Sequence, residues 1–399
     1  MRSVVAVAHT RSFGKASIVM QQVAGQDVSS SSLQRITQDV GGELAARRDA
    51  PASSVNALAA TPLVPPDLAV VECDGGRIRT REPGCGRGVH LAGKGWNETK
   101  VACLIRAQRK TFDTDPQPEP PDCFCDAAHV AKLAETEALS IASLQAEPVE
   151  TADADPHDLP LPDDDWRPKR LVRTVLASMA NSDTFGQQMA REAKRRRFGE
   201  AAARAFLGDG LPWNWSIWKR HFRKYTPILD FIHVLSYLFV AAKAVHPEDP
   251  QSAWDQYLVW MRGCWSGEVA QVLEELTRWQ TRLGEPPADA ADSDPREIVR
   301  RTHQYLKNNQ TRMQYPEYRQ AGLPVTTAWM ESLVKEINWR VKGTEMFWNN
   351  PDGGESILQV RGAALCDDDR LPKHLLTRPG CVFTRRPKLT SFAGATRKR

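Results

Sequence analysis

Asp74 follows a short apolar run, Leu68 to Cys73, and precedes two glycines; Asp209 follows another, Phe206 to Gly208, and precedes Gly210. Acids at the carboxyl ends of strands in an α/β sheet stand where ligands collect, because side chains leave the sheet edge there. Glu331 lies on a segment in which Met330, Leu333, Val334 and Ile337 follow the i, i+3, i+4, i+7 spacing of a buried helical stripe. It shares the neighbouring stripe with Lys335 and Asn338, so its carboxylate can lean over a sheet edge toward two aspartates. Three such acids brought together repel one another unless divalent cations neutralise them. Mg²⁺ suits an oxygen-only site with few protein ligands, since it keeps waters and substrate phosphates in its remaining positions. Two such ions about 3.5–4 Å apart activate an attacking oxygen and stabilise a leaving one in phosphoryl transfer. With 49 acidic residues in the chain, the intervals alone do not separate these three from ordinary acids in strand-end turns.

The elements that must position them follow from pattern. Residues 12–48 read as helical, with a turn at Gly25–Asp27 before SSSLQRITQDVG, an arrangement like a helix-turn-helix. Residues 1–60 therefore form a small helical segment whose candidate DNA contacts are Gln34, Arg35 and Gln38, and which begins partway into what would be a larger DNA-binding region. Strands are expected at Leu68–Cys73, Arg77–Arg81 and Lys100–Arg106, the first two joined by an Asp-Gly-Gly turn. Residues 115–166, rich in Pro and Asp with one helix from Ala127 to Leu144, read as a solvated acidic insertion. Arg170 to Ala205 reads as helix, followed by strands at Phe206–Gly208 and Ile228–Ile232. Residues 234–322 read as an all-helical insertion, 323–365 as the last helical part of the core, and 366–399 as a basic tail. The expected class is α/β, a mixed sheet flanked by helices in pieces 61–114 and 167–233, interrupted by the insertion.

Composition narrows the alternatives. The apolar fraction of 41% and charged fraction of 26% are those of a globular protein. No run reaches the roughly 18 apolar residues of a membrane span, and the N-terminal run Val4 to Ala8 is short for a signal peptide. Eight scattered cysteines make no disulfide framework, which points to a reducing cytoplasm. Cys123, Cys125 and His129 lack a fourth zinc ligand nearby. The net charge is only +4, but bases cluster at Arg191–Arg197 and after Arg378, including Arg385 and Arg386, and clustered bases displace counterions from nucleic-acid phosphates.

Four strings carry a more specific signal: VVECDGGRIRTRE, LGDGLPWNWSIW, TPILDFIHVLSYL and TAWMESLVKEINWRVKGTEMFWNNPDGGESILQVR. Together they resemble the catalytic blocks of bacterial insertion-sequence transposases of the ISKra type, in the Asp-Asp-Glu class. The resemblance runs from about Gly25 to Arg386 and implies an RNase H-like core. It implies that Asp74, Asp209 and Glu331 bind two Mg²⁺ ions, replaceable by Mn²⁺, and cut and join double-stranded DNA at transposon inverted repeats and target sites. Asp230 and His233 match an Asp-x2-His motif of relatives and are possible accessory residues. Lys335, Arg340 and Lys342 are phosphate-contact candidates. A homo-oligomer on DNA, in the bacterial nucleoid, is the expected setting. The competing readings are a catalytically silent or truncated transposase-derived DNA-binding protein, and a host nuclease on the same core, which the last string fits poorly.

Overall fold

The computed structural model describes residues 2–53, 64–81, 95–143, 166–342 and 347–378, without side chains for 136–143. Five strands form one sheet: β1 (Leu68–Arg79), β2 (Trp96–Gln108), β3 (Lys169–Ser178), β4 (Ala203–Gly208) and β5 (Thr226–Leu229). Their order is β3-β2-β1-β4-β5. The first three are antiparallel neighbours, whereas β1 pairs with β4, and β4 with β5, in parallel. The helices before and within the sheet are α1 (Arg2–Ala8), α2 (Phe13–Ala24), α3 (Ser30–Asp49), α4 (Ala127–Ser143), α5 (Ser182–Arg195) and α6 (Pro212–His221). After β5 come α7 (Phe231–Val245), α8 (Pro250–Trp265), α9 (Val269–Leu283), α10 (Pro295–Asn309), α11 (Tyr315–Gln320), α12 (Ala328–Val341), α13 (Pro351–Ala364) and α14 (Arg370–Thr377). No helix among the described residues is long and apolar enough to cross a membrane.

Strand periodicity sorts the core into two faces. Ala69, Val71 and Cys73 of β1 join Phe206 of β4, Phe185 and Met189 of α5 and Ile217 of α6 in one apolar cluster. Val70 and Ile78, with Leu207 of β4, face the other way, into a larger cluster with Phe231 and Trp265, and with Met330, Leu333 and Ile337 of α12. The sheet is thus covered by α5 and α6 on one side and by α7, α12 and α13 on the other.

Two expectations about strands change. Leu68–Cys73 and Arg77–Arg81 are not a hairpin; β1 runs straight through Asp74-Gly75-Gly76, which pair with Val101, Lys100 and Thr99 of β2. Neither glycine takes a positive φ, so the dipeptide that signals a turn lies in a ladder instead. A Cβ on Gly76 would be a tight fit, 3.1 Å from Oγ1 of Thr99. Conversely, Arg170 to Ala205 is not one helix. Lys169–Ser178 (KRLVRTVLAS) is β3, whose Val172, Thr174 and Val175 favour an extended chain. The helix α5 starts afresh at Asn181, whose side chain caps the Thr184 N–H at 2.9 Å.

The segment before α4 is no solvated insertion where it is described. The Phe124 carbonyl accepts from the Tyr257 hydroxyl at 3.0 Å and the Gln117 carbonyl from Nε1 of Trp265 at 3.0 Å. Asp115 pairs with the fully buried Arg319. Nor do the N-terminal helices stand apart. The helix α3 packs along α13 so closely that a Cβ on Gly41 would fall 2.4 Å from the Ser356 carbonyl oxygen. Its last carbonyls, at Arg47, Arg48 and Ala50, accept hydrogen bonds from the buried Arg195 of α5.

The C-terminal helix α14 is held by a buried ion cluster. Glu192 of α5 accepts from Arg370 at 2.5 Å and from Arg196 at 2.9 Å, and Arg196 also pairs with Asp368. Burial alone would raise the Glu192 carboxyl, but Arg370 and Arg196 together hold it far below the usual carboxylate range. A depressed folded-state pKa contributes stability above the unfolded value, about 4.3, that is lost as pH falls below it. Removing one partner of a buried pair leaves uncompensated charge, so Glu192→Gln is expected to cost about 3–5 kcal/mol at pH 7. The gap from wild type should narrow below about pH 4, as urea titrations across pH would record.

Candidate active site

The register of β1 against β4 places the first two acids. Glu72 pairs with Leu207 at the last rung of the parallel β1–β4 ladder, so Asp74, two residues further along β1, stands at the level where β4 gives way after Gly208 to Asp209. Asp74 has the strand parity of Val70, which faces the side covered by α12, whereas Asp209 lies just past the end of β4 and its carboxylate is held by the start of α6. Each is half-buried. Oδ1 of Asp74 accepts from the Gly75 N–H at 2.6 Å. Oδ1 of Asp209 accepts from the Leu211 N–H at 2.8 Å and from Nδ2 of Asn214 at 2.5 Å. Asn214 is itself fully buried and receives the Cys73 thiol at 3.6 Å on its other amide atom. Burial, then the charges of Asp209, Asp74 and Glu72, push that thiol well above its ordinary range.

Glu331 lies in the first turn of α12, where the unpaired N–H groups favour an acid. The helix packs on β1 and β2, with Glu331 half-buried beside Met330. What fixes its start is Asp230, 0% exposed. Oδ1 of Asp230 accepts from the Thr327 N–H at 2.7 Å, and Oδ2 caps α7 at the His233 N–H, 3.1 Å away, while lying 2.6 Å from Nδ1 of His233. The Phe231 N–H donates to the Val325 carbonyl at 3.0 Å. Asp230 and His233 therefore have a structural task, joining the first turn of α7 to the lead of α12.

Sequence reasoning passed over Glu72. It lies inside the apolar run of β1, is 0% exposed, and neither of its oxygens makes a hydrogen bond of normal geometry. Burial, followed by the charges of Asp230 and Glu331, raises its carboxyl well above the usual range, while the Met330 N–H pulls the other way. An acid flanked by Val71 and Cys73 in a buried strand was a readable signal, since charged residues are almost never fully buried without a partner. Tyr305 was also missed: its hydroxyl, on α10, donates to the Asp209 carbonyl at 2.8 Å.

By donor type the acids suit a hard divalent cation. As they stand, however, no three His, Cys, Asp or Glu side chains among the described residues are grouped so that they could hold a metal ion. The parallel β1–β4 pairing leads toward both aspartates, and the helix bearing Glu331 packs on β1 and β2.

The expected DNA contacts divide. Arg35 on α3 and Lys335 on α12 are exposed. Gln34 is half-buried, and so is Gln38, whose amide lies against the start of α13 near Gly353. Lys342 is half-buried after α12, and burial lowers its pKa. Arg340 is corrected outright. It is 1% exposed, donates to the Val7 carbonyl at 3.0 Å, and stacks on Phe13 and Trp348. Burial and the nearby Arg361 push its pKa down to about 10; it holds the N-terminal helices to α12 and has no face for a phosphate. Arg385 and Arg386 lie outside the described residues.

No family model matches the chain, and no curated protein matches it. Among solved structures, the Drosophila P element transposase strand transfer complex is similar at 9% identity with a TM-score of 0.36, over 92% of each chain. At that level neither fold nor activity carries over.

The structural task of Asp230 has a direct check. Asp230→Ala removes a helix cap, at about 1 kcal/mol, and strands the buried Thr327 N–H, at about 1–3 kcal/mol. Chemical denaturation should show a loss of about 2–4 kcal/mol, whereas a purely accessory catalytic residue would leave stability unchanged.

Proposed function

We propose that this protein is a DNA transposase of the Asp-Asp-Glu class, acting by metal-dependent phosphoryl transfer at Asp74, Asp209 and Glu331. The observation that supports it best is the parallel pairing of β1 with β4, which carries both strands toward Asp74 and Asp209, with the helix that bears Glu331 packed on β1 and β2. The five-stranded mixed sheet with β1 at its centre agrees with the RNase H-like core that the sequence blocks imply. The finer reading is the one those blocks carry: an ISKra-type element, transposon inverted repeats and target duplex as substrates, a homo-oligomer on DNA, and a place in the bacterial nucleoid.

Asp74 and Asp209 would hold Mg²⁺, with Mn²⁺ able to replace it, and Glu331 would complete the set. When bound, such ions activate the attacking oxygen and neutralise charge on the leaving one. The chain's own residues do the rest. Leu211 and Asn214 fix the Asp209 carboxylate from the start of α6, which lowers the cost of aligning it when DNA arrives. Lys335, exposed one turn beyond Glu331, is placed to meet a backbone phosphate. Such contacts orient the duplex without reading its sequence.

A second reading, a transposase-derived DNA-binding protein that performs no chemistry, is favoured by one observation, the absence of three converging metal donors among the described residues. One assay separates the two. Purified protein with Mg²⁺ and labelled duplex carrying the ends that flank its gene should yield nicked and joined products. Asp74→Ala, Asp209→Ala and Glu331→Ala should each lower cleavage by about 10²–10³-fold, on the scale of losing one electrostatic stabiliser, while DNA affinity changes little. Cleavage by any of these variants at the wild-type rate removes that residue from the site, and tight DNA binding without cleavage by wild type selects the second reading.

A further inference from the structure

The helical insertion reaches back to the acids at one point. The backbone of Asp209-Gly210 turns sharply where β4 ends, with Gly210 at φ 99°, a conformation that favours glycine. Tyr305 of α10 lies against this turn. Its hydroxyl donates to the Asp209 carbonyl at 2.8 Å, and a Cβ on Gly210 would fall 2.5 Å from its Cε2. The ring is in turn fixed, stacked on Tyr237 of α7 with centroids 3.9 Å apart and planes 9° from parallel. The next residue, Leu306, is fully buried, and Nδ2 of Asn309 donates to the Tyr305 carbonyl at 2.9 Å. The hydroxyl therefore sits on a rigid mount built from two helices, α7 and α10, neither of which contributes one of the three acids.

On its own side of the chain, Leu211 and Asn214 hold the carboxylate of Asp209, and the Tyr305 hydroxyl holds its main chain. A strand that has just left its ladder retains rotational freedom, and small errors in carboxylate placement are expensive in reactions that depend on alignment. We propose that Tyr305 is a positioning residue that fixes the main chain of Asp209, making the helical insertion part of the scaffold of the acid site. This rests on the reading of Asp209 as a metal-holding carboxylate. The insertion then has two separable contributions, whatever DNA it meets on its outer surface and the aim of Asp209 on its inner one.

Tyr305→Phe removes only the hydroxyl and keeps the ring against Tyr237 and Gly210. The full chain, without DNA, is titrated with MnCl2 by calorimetry as wild type, Tyr305→Phe and Asp209→Ala, with melting temperatures alongside. Tyr305→Phe is expected to weaken Mn²⁺ binding by about tenfold, on the scale of a small misplacement, while melting within about 3 °C of wild type. Single-turnover cleavage by this variant should be slow at low Mn²⁺ and recover toward the wild-type rate at saturating Mn²⁺, with DNA affinity unchanged. A merely structural tyrosine would shift melting without this dependence on the ion. If Asp209→Ala loses Mn²⁺ binding while Tyr305→Phe matches wild type, the positioning inference is overturned and the metal reading stands. If Asp209→Ala binds Mn²⁺ as wild type does, the metal reading fails and the inference falls with it.

Discussion

The candidate site depends on a buried carboxylate that is not one of its proposed ligands. Asp230 ends β5, caps α7 and binds the N–H of Thr327 just before α12, while its own N–H donates to the Gly208 carbonyl at 3.0 Å. One side chain and one peptide thus tie the strand that delivers Asp209 to the helix that delivers Glu331. Residue separations are large here, about a hundred positions between the knot and α12, and long-range closure of this kind is entropically costly. A fully buried, hydrogen-bonded acid returns that cost because its partners are backbone donors that would otherwise be stranded.

The same region concentrates charge of one sign. Glu72, Asp74, Asp209, Asp230 and Glu331 occupy the middle of β1, the turn after β4, the cap of α7 and the start of α12, and Glu72 is pushed toward its neutral form by burial and by two of the others. Acids gathered with a perturbed, buried carboxylate among them are a pattern associated with functional sites more often than with structural ones. Several buried arginines of the fold have other tasks. Arg340 and Arg361 bind carbonyls of the N-terminal helices and of α12, and Arg370 and Arg196 surround Glu192.

The sequence made some of this legible and hid the rest for identifiable reasons. The helix bearing Glu331 was readable because its apolar stripe repeats with helical period, and the helical insertion because its segments do likewise. Strand β3 was misread as helix because Lys169, Arg170 and Arg173 break up its apolar run. Strand β1 was cut in two because Gly75 and Gly76 look like a turn, yet both pair in the ladder with β2 and neither takes a positive φ. The N-terminal pair of helices matched a DNA-binding motif in spacing, but spacing does not reveal that α3 is packed between α13 and α5. Arg340 looked like a phosphate contact since sequence gives a charge without its depth. Tyr305 was invisible for the simplest reason, a contact spanning nearly a hundred residues.

The central claim is that Asp74 and Asp209 share a divalent cation. Anomalous diffraction from crystals of the protein equilibrated with Mn²⁺ tests it most directly, because the scattering locates the ion without reference to activity. The account predicts an anomalous peak between the two aspartates, with oxygen ligands at about 2.0–2.2 Å in near-octahedral geometry, on the Mg²⁺ pattern, and Glu331 drawn toward it. A peak elsewhere, or none at Mn²⁺ concentrations well above those at which phosphoryl-transfer sites fill, would contradict it.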